Sequence, residues 1–204
     1  MVAHTKQISR SGFVLQIVAL LVVFFGLTGV LLFYSNNNFA SIFKSSKKTF
    51  VSKGANKIGF PKISFNYNSG WVAKEEDEQV GNGNTIPFNK LTIVKDDYTI
   101  QIDQVLIVGG GACWFKDSPK PGGPAIDLTN VKYKEIKTGF GTARYYLNPE
   151  MNSESQDVYN FCSLNEYEFS LSKVGYISIT TPKKLDAKIF NEAIEIVKSI
   201  KRIE

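Results

Sequence analysis

Three patterns of apolar and polar positions divide the chain. The first is an unbroken apolar run from Phe13 to Tyr34, FVLQIVALLVVFFGLTGVLLFY, with no charge and with Gln16 as its most polar residue. A helix of this length covers about 33 Å, close to the roughly 30 Å of a bilayer core. It also satisfies every backbone polar group internally, as lipid demands. A soluble helix would show a polar face, which this run lacks. The run therefore predicts one transmembrane helix over residues 13–34. A cleaved leader has a shorter apolar core, about 7–15 residues, followed by a small-x-small site. Asn36-Asn37-Asn38-Phe39-Ala40 offers no such site, so the run is read as a retained anchor.

The second pattern has a period of two. In Lys62-Ile63-Ser64-Phe65-Asn66-Tyr67, the residues Ile63, Phe65 and Tyr67 share one face, as in a half-buried strand. Asn68-Ser69-Gly70 turns the chain into Trp71. Leu91 to Val94 and Tyr98 to Val108, joined by Lys95-Asp96-Asp97, read as an antiparallel hairpin. Further strands are predicted at Val131–Ile136, Thr142–Leu147, Val158–Ser163, Glu166–Ser170 and Tyr176–Thr180. Gly81-Asn82-Gly83-Asn84 and the Gly139 to Gly141 segment mark turns, and Asn148 to Ser155 a polar loop. Gly109-Gly110-Gly111 and the Pro119 to Pro124 stretch bracket Cys113-Trp114-Phe115, which reads as an excursion from the sheet.

The third pattern is helical and closes the chain. Ile189, Ala193, Ile196, Val197 and Ile200 recur at three- and four-residue spacing, with Phe190 and Ile194 widening the stripe. Asp186 is placed to cap the N-terminus, and Lys198, Lys201 and Arg202 lie where the helix dipole favours cations. The three patterns together predict an α+β fold: one N-terminal transmembrane helix, then a largely antiparallel sheet packed by a C-terminal helix. The expected organisation is a short tail over 1–12, the membrane helix over 13–34, a polar basic linker over 35–59 and an α+β domain over 60–204.

Charge and cysteine usage orient this layout. The net charge of +5 is uneven, because no acid precedes Glu75. Lys6 and Arg10 precede the apolar run, and Lys44, Lys47, Lys48, Lys53, Lys57 and Lys62 follow it. The basic pI therefore reports the flanks of the membrane segment, and no nucleic-acid partner is expected. Lys6 and Arg10 favour a cytoplasmic N-terminus, since a long following domain crosses largely regardless of its own charge. Cys113 and Cys162 are the only cysteines. An even count in the domain suits one disulfide in an oxidising outer compartment, and two unrelated buried thiols are the alternative.

Two pieces of the domain resemble the PsbP-like superfamily, the fold of a photosystem oxygen-evolving-complex protein and of nuclear Ran-binding relatives. Gly59-Phe60-Pro61-Lys62-Ile63-Ser64-Phe65-Asn66-Tyr67-Asn68-Ser69-Gly70-Trp71 looks like that family's opening strand, with Asn68 where the family usually carries Pro. Ile194-Glu195-Ile196-Val197-Lys198-Ser199-Ile200-Lys201 is similar to its closing helix. The resemblance implies an antiparallel sheet with helices on its faces, and binding or assembly in place of catalysis. It transfers no site residue. Separately, Gly12-Phe13-Val14-Leu15 after Arg10 resembles the type IV prepilin processing motif, although Gln16 and Ile17 stand near where that family has its acid.

The search for chemistry assigns no catalytic, cofactor-binding or metal-binding residue. His4 is the only histidine, and it lies before the membrane segment, which excludes a Ser-His-Asp or Cys-His site within one chain. Two cysteines cannot complete the usual four-ligand zinc site. Gly109-Gly110-Gly111 is followed by Ala112-Cys113-Trp114-Phe115, without the helix start, Lys and Ser/Thr of a phosphate loop. Glu75-Glu76-Asp77-Glu78 lacks the alternating spacing and glycine of a calcium loop and reads as a solvated acidic turn. Trp114 and Phe115, on their glycine-flanked excursion, are either tucked against Cys113 or exposed for binding, and in the second case they are the candidate binding surface. The expected function is a membrane-anchored, non-catalytic extracytoplasmic domain that binds an envelope protein or polymer. A pilin-like structural subunit is the alternative and an unidentified hydrolase the third reading. Intact-mass measurement of membrane-extracted protein is expected to return a chain that retains Phe13–Tyr34. A mature N-terminus beyond Tyr34 would contradict the anchor.

Overall fold

The computed structural model describes residues 46–80, 86–105, 112–163 and 174–203. The apolar run Phe13–Tyr34, the Gly81–Asn84 turn, the Gly109–Gly111 run and the expected strand Glu166–Ser170 lie outside these residues. The described chain begins with β1 (Lys47–Val51), whose register with β2 (Ile63–Asn68) is antiparallel, Lys47 opposite Asn68. The compact unit starts at Ser46, so the second half of the expected linker is a strand and a short 3-10 turn, Asn56–Ile58. Ser52 ties the pair together: its N–H donates to Ile63 O, and its Oγ accepts from Ile63 N, both at 2.9 Å.

A seven-stranded antiparallel sheet follows. Its members are β3 (Val72–Val80), β4 (Ile86–Lys95) and β5 (Tyr98–Gln104), then, past an excursion, β8 (Tyr133–Thr138), β9 (Gly141–Leu147), β10 (Gln156–Ser163) and β11 (Tyr176–Pro182). The order across the sheet is β3-β4-β5-β11-β10-β9-β8. The excursion contains β6 (Ala112–Trp114) and β7 (Ala125–Asp127), a short parallel pair. The single described α-helix, α1 (Ala187–Lys198), leads into β12 (Lys201–Arg202), which pairs with β2 and completes a three-stranded sheet, β1-β2-β12.

The expected α+β class is corrected by this architecture. Among the described residues one 12-residue helix stands against twelve strands, and no helix is long and apolar enough to cross a membrane. The fold is mostly antiparallel sheet with one C-terminal helix. Part of the difference lies in β3, where Glu75-Glu76-Asp77-Glu78, expected as an acidic turn, is edge strand instead. Its low intrinsic strand preference is overridden by nine register pairs with β4. Lys74 and Glu76 alternate with Ala73 and Glu75, and a charged edge strand discourages pairing with other chains. Glu75, on the inner side, accepts Lys53 N–H with both oxygens (2.8 and 3.0 Å) and Asn89 Nδ2 (2.7 Å).

The helix and the three-stranded sheet lie over one face of the large sheet, and α1 touches β2, β5 and β8. The period-two residues Ile100 and Ile102 of β5, and Ile177 and Ile179 of β11, meet the helical stripe Ala193, Ile196 and Val197 there. Ile63 and Phe65 join them from β2. Asp186 caps α1 as expected, its Oδ1 accepting from Lys188 N (2.8 Å) and Ile189 N (3.2 Å). The β8–β9 turn runs so close to the end of the helix that a Cβ on Gly139 would stand 2.5 Å from Ile200 O. Only glycine fits that approach.

One buried patch is polar. Asn89 and Gln104, essentially unexposed, face each other across β4 and β5. Asn89 Nδ2 donates to Gln104 Oε1 (3.0 Å), and Gln104 Nε2 donates to Pro61 O (3.1 Å) and Val174 O (3.2 Å). The pair thus joins the lead-in of β2 to the large sheet, while Asn89 Oδ1 stays buried without a hydrogen-bond partner among the described residues. Ile196, 3% exposed, is the clearest test of how the helix seats. Ile196→Ala is expected to lower unfolding stability by about 2–5 kcal/mol, the transfer loss plus a cavity. An unchanged denaturation midpoint would show that this face is not packed.

Candidate functional site

The sequence reading placed its candidate surface on Trp114 and Phe115, and the structure divides them. Phe115 is 1% exposed, the tucked of the two arrangements its excursion allowed. It belongs to a second small core with Leu128, Tyr146 and Cys162, on the face of the large sheet opposite α1. Trp114 is half-buried, with Lys120 Nζ 5.0 Å from its ring centroid. Cys113 and Cys162 form the disulfide, with Cα atoms 6.2 Å apart, inside the range such a bridge requires. It pins the excursion to β10, as the even cysteine count suggested.

A second fastening holds the same excursion. Arg144 of β9, 7% exposed, makes two parallel hydrogen bonds to Asp117, each 2.7 Å. Its guanidinium lies 4.2 Å from the Tyr133 ring centroid and 5.1 Å from that of Phe115. Tyr133 donates to Asp117 Oδ2 at 2.6 Å. That bond and the Arg144 bonds hold the Asp117 carboxyl below the usual carboxylate range, while the same bond raises the Tyr133 phenol. Bidentate geometry and a stacked guanidinium are what arginine, and not lysine, provides. These groups fasten the excursion to the large sheet.

The opening is on the other side of the molecule. A groove of about 900 Å³ runs between the polar face of α1 and the end of β2. Helical spacing places Lys188, Asn191, Glu192, Glu195 and Lys198 along one wall. Asn66, Tyr67 and Asn68 of β2, with Lys47 of β1, form the other. Trp71 and Ile196 line the bottom and are almost fully buried.

The groove is fastened at two points. At the end of α1 Asn66 N–H donates to Ser199 Oγ (2.8 Å), which in turn donates to Ile196 O (2.7 Å). Midway along α1, Glu192 Oε2 accepts from Trp71 Nε1 (3.1 Å) and from Lys95 Nζ (2.6 Å). Lys95 Nζ also lies 5.9 Å from the Trp71 ring centroid. Partial burial opposes the charge on Glu192, but the Lys95 and Trp71 hydrogen bonds and the charges of Lys95 and Lys188 outweigh it, so its carboxyl sits below the ordinary value of 4.5. Glu195 is paired with Lys198 at 2.6 Å. Both groove acids are therefore engaged in ion pairs.

No residue of this groove was singled out as a site from sequence. The polar face of the helix was visible as the complement of its apolar stripe. The Glu192 fastening was not, because its partners lie 97 and 121 positions away. Among the described residues no group of three or more His, Cys, Asp or Glu is arranged to hold a metal ion. Comparison with protein families, with curated proteins and with solved structures finds no match for this chain.

The fastening has a pH signature. A folded-state pKa depressed below the unfolded value contributes stability that is present above that unfolded value and lost as pH falls through the folded one. The Glu192 contribution is thus in place above about pH 4.5 and disappears on further acidification. Glu192→Gln is expected to lower stability at neutral pH and to flatten the acid limb of the stability–pH curve. A variant whose curve runs parallel to that of the parent down to pH 3 or so would remove Glu192 as a contributor.

Proposed function

We propose that this chain is a membrane-tethered, non-catalytic domain on the outer side of the membrane that binds an envelope component through the groove beside α1. The observation that carries this reading is the groove itself, about 900 Å³, with both walls fixed before any ligand arrives. That volume lies in the range of specific binding sites, and a preformed site avoids the cost of ordering its walls.

Three further features support the reading. The Cys113–Cys162 disulfide suits an oxidising compartment. The apolar run of residues 13–34 suits a bilayer anchor, and Lys6 and Arg10 before it suit a cytoplasmic N-terminus. Glu192 is unsuited to act as a general acid. A general acid at neutral pH needs a raised pKa, whereas Glu192 is held low by its partners. Similarity of the Gly59–Trp71 segment and of the closing helix to PsbP-like domains agrees with a binding or assembly role.

The test places a photoreactive side chain at Asn191, on the exposed wall, and a control at Lys134 of edge strand β8, outside the groove lining, in intact cells. A discrete adduct with an envelope component, protein or polymer, is expected at Asn191 and not at Lys134. Equal labelling at the two positions, or adducts with cytoplasmic components alone, would contradict the proposal.

A further inference from the structure

We propose that the occupant of the groove is a segment of an anionic, hydroxyl-rich polymer, an acidic polysaccharide chain, and not a protein surface. This rests on the binding role proposed above and names its ligand class.

The charge balance of the lining is the first ground. Glu192 is neutralised by Lys95, and Glu195 by Lys198. Lys47 and Lys188 remain, one on each wall, both exposed and neither in an ion pair among the described residues. A cleft whose acids are internally satisfied and whose two remaining charges are cations attracts an anion.

The second ground is hydrogen-bonding chemistry. Asn66, Asn68 and Asn191 bring three carboxamides to one groove, each able to donate and accept. Thr49 Oγ1 donates to Asn66 Oδ1 (2.9 Å), which commits that oxygen and reserves the amide nitrogen as a donor. Hydroxyl groups, which both donate and accept, match such a lining.

The third ground separates a polymer from a protein. Protein interfaces depend on a few aromatic or aliphatic anchors seated in pockets. The accessible lining is more apolar than polar, but no large aromatic or aliphatic side chain in it is exposed. Trp71 and Ile196 are 1% and 3% exposed and already packed into the core. Tyr67, half-buried with its ring 6.0 Å from that of Phe65, keeps only part of one ring for a ligand. An open groove flanked by cations and amides fits an extended polar chain.

The test uses the full chain in detergent micelles, titrated calorimetrically with four probes: polygalacturonate oligomers, uncharged maltodextrin oligomers of equal length, poly-glutamate, and phosphatidylglycerol vesicles. Polygalacturonate is expected to bind and the uncharged oligomer to bind much more weakly. Lys47→Gln with Lys188→Gln should weaken polygalacturonate binding by about tenfold and flatten its salt dependence. Asn191→Ala should weaken it without changing the salt dependence. Lys134→Gln with Lys137→Gln, on edge strand β8 and outside the groove lining, should leave it within about twofold. Absence of polygalacturonate binding, an equal loss in the β8 control, or equal or tighter binding of poly-glutamate or vesicles would overturn the assignment. A groove-specific adduct at Asn191 alongside such a failure would leave the binding role standing and remove only the ligand class.

Discussion

The seating of α1 is the contact on which the rest of the molecule depends. Its apolar stripe, Ala193, Ile196 and Val197, closes the core between the large sheet and the β1-β2-β12 sheet. Neither sheet buries its inner face without it, since a sheet with one apolar face must pack against a second layer. The helix is fixed along its length. Asp186 caps its start and bonds Tyr98, Glu192 holds Lys95 and Trp71 midway, and Ser199 holds Asn66 at its end. The buried half of the helix gives stability, and the fixed half gives the groove its wall. Binding surface and core thus share one element, and a change that shifts the helix alters both.

The opposite face of the sheet solves a different problem. There the excursion that carries β6 and β7 covers β9 and β10 with a small aromatic core around Phe115 and Tyr146. A core of that size is a weak hold for so long a segment, and two fastenings supplement it. One is covalent, Cys113 to Cys162, and the other ionic, Asp117 to Arg144. A half-exposed ion pair contributes little alone. This one is bidentate, stacked on two rings, and hydrogen-bonded to Tyr133, and such networks exceed isolated pairs.

The fold was legible where the pattern was local. Alternating runs marked β2, β5, β9, β10 and β11, and helical spacing marked α1 with its Asp186 cap, because burial of one face writes its period into the sequence. The acidic stretch Glu75 to Glu78 was misread, since composition there says turn and only pairing with β4 says strand. β1 was missed because five mostly exposed residues, Lys47–Val51, leave no apolar alternation. That strand and the acidic one moved the fold from α+β towards sheet.

The candidate site was less legible than the fold. The cysteine pair followed from counting. The groove did not, for its walls are polar residues whose meaning comes only from their neighbours in space. Asn66 and Ser199 are 133 positions apart, and Trp71 and Glu192 121. The sequence left Phe115 either tucked or exposed, because glycines and prolines flank it. It is buried because Arg144 and Tyr133, distant in sequence, draw the excursion down onto the sheet.

The central claim is that α1 is locked in place before any ligand binds, so that one helix serves both core and groove. Amide hydrogen exchange of the ligand-free chain tests it most directly. If the claim holds, the amides of Ala193 to Val197 and the Trp71 indole N–H exchange as slowly as those of Ile100 and Ile102 in β5, opening only with global unfolding. Exchange of the helix and indole well ahead of β5 would contradict it, for the groove would then lack a fixed wall.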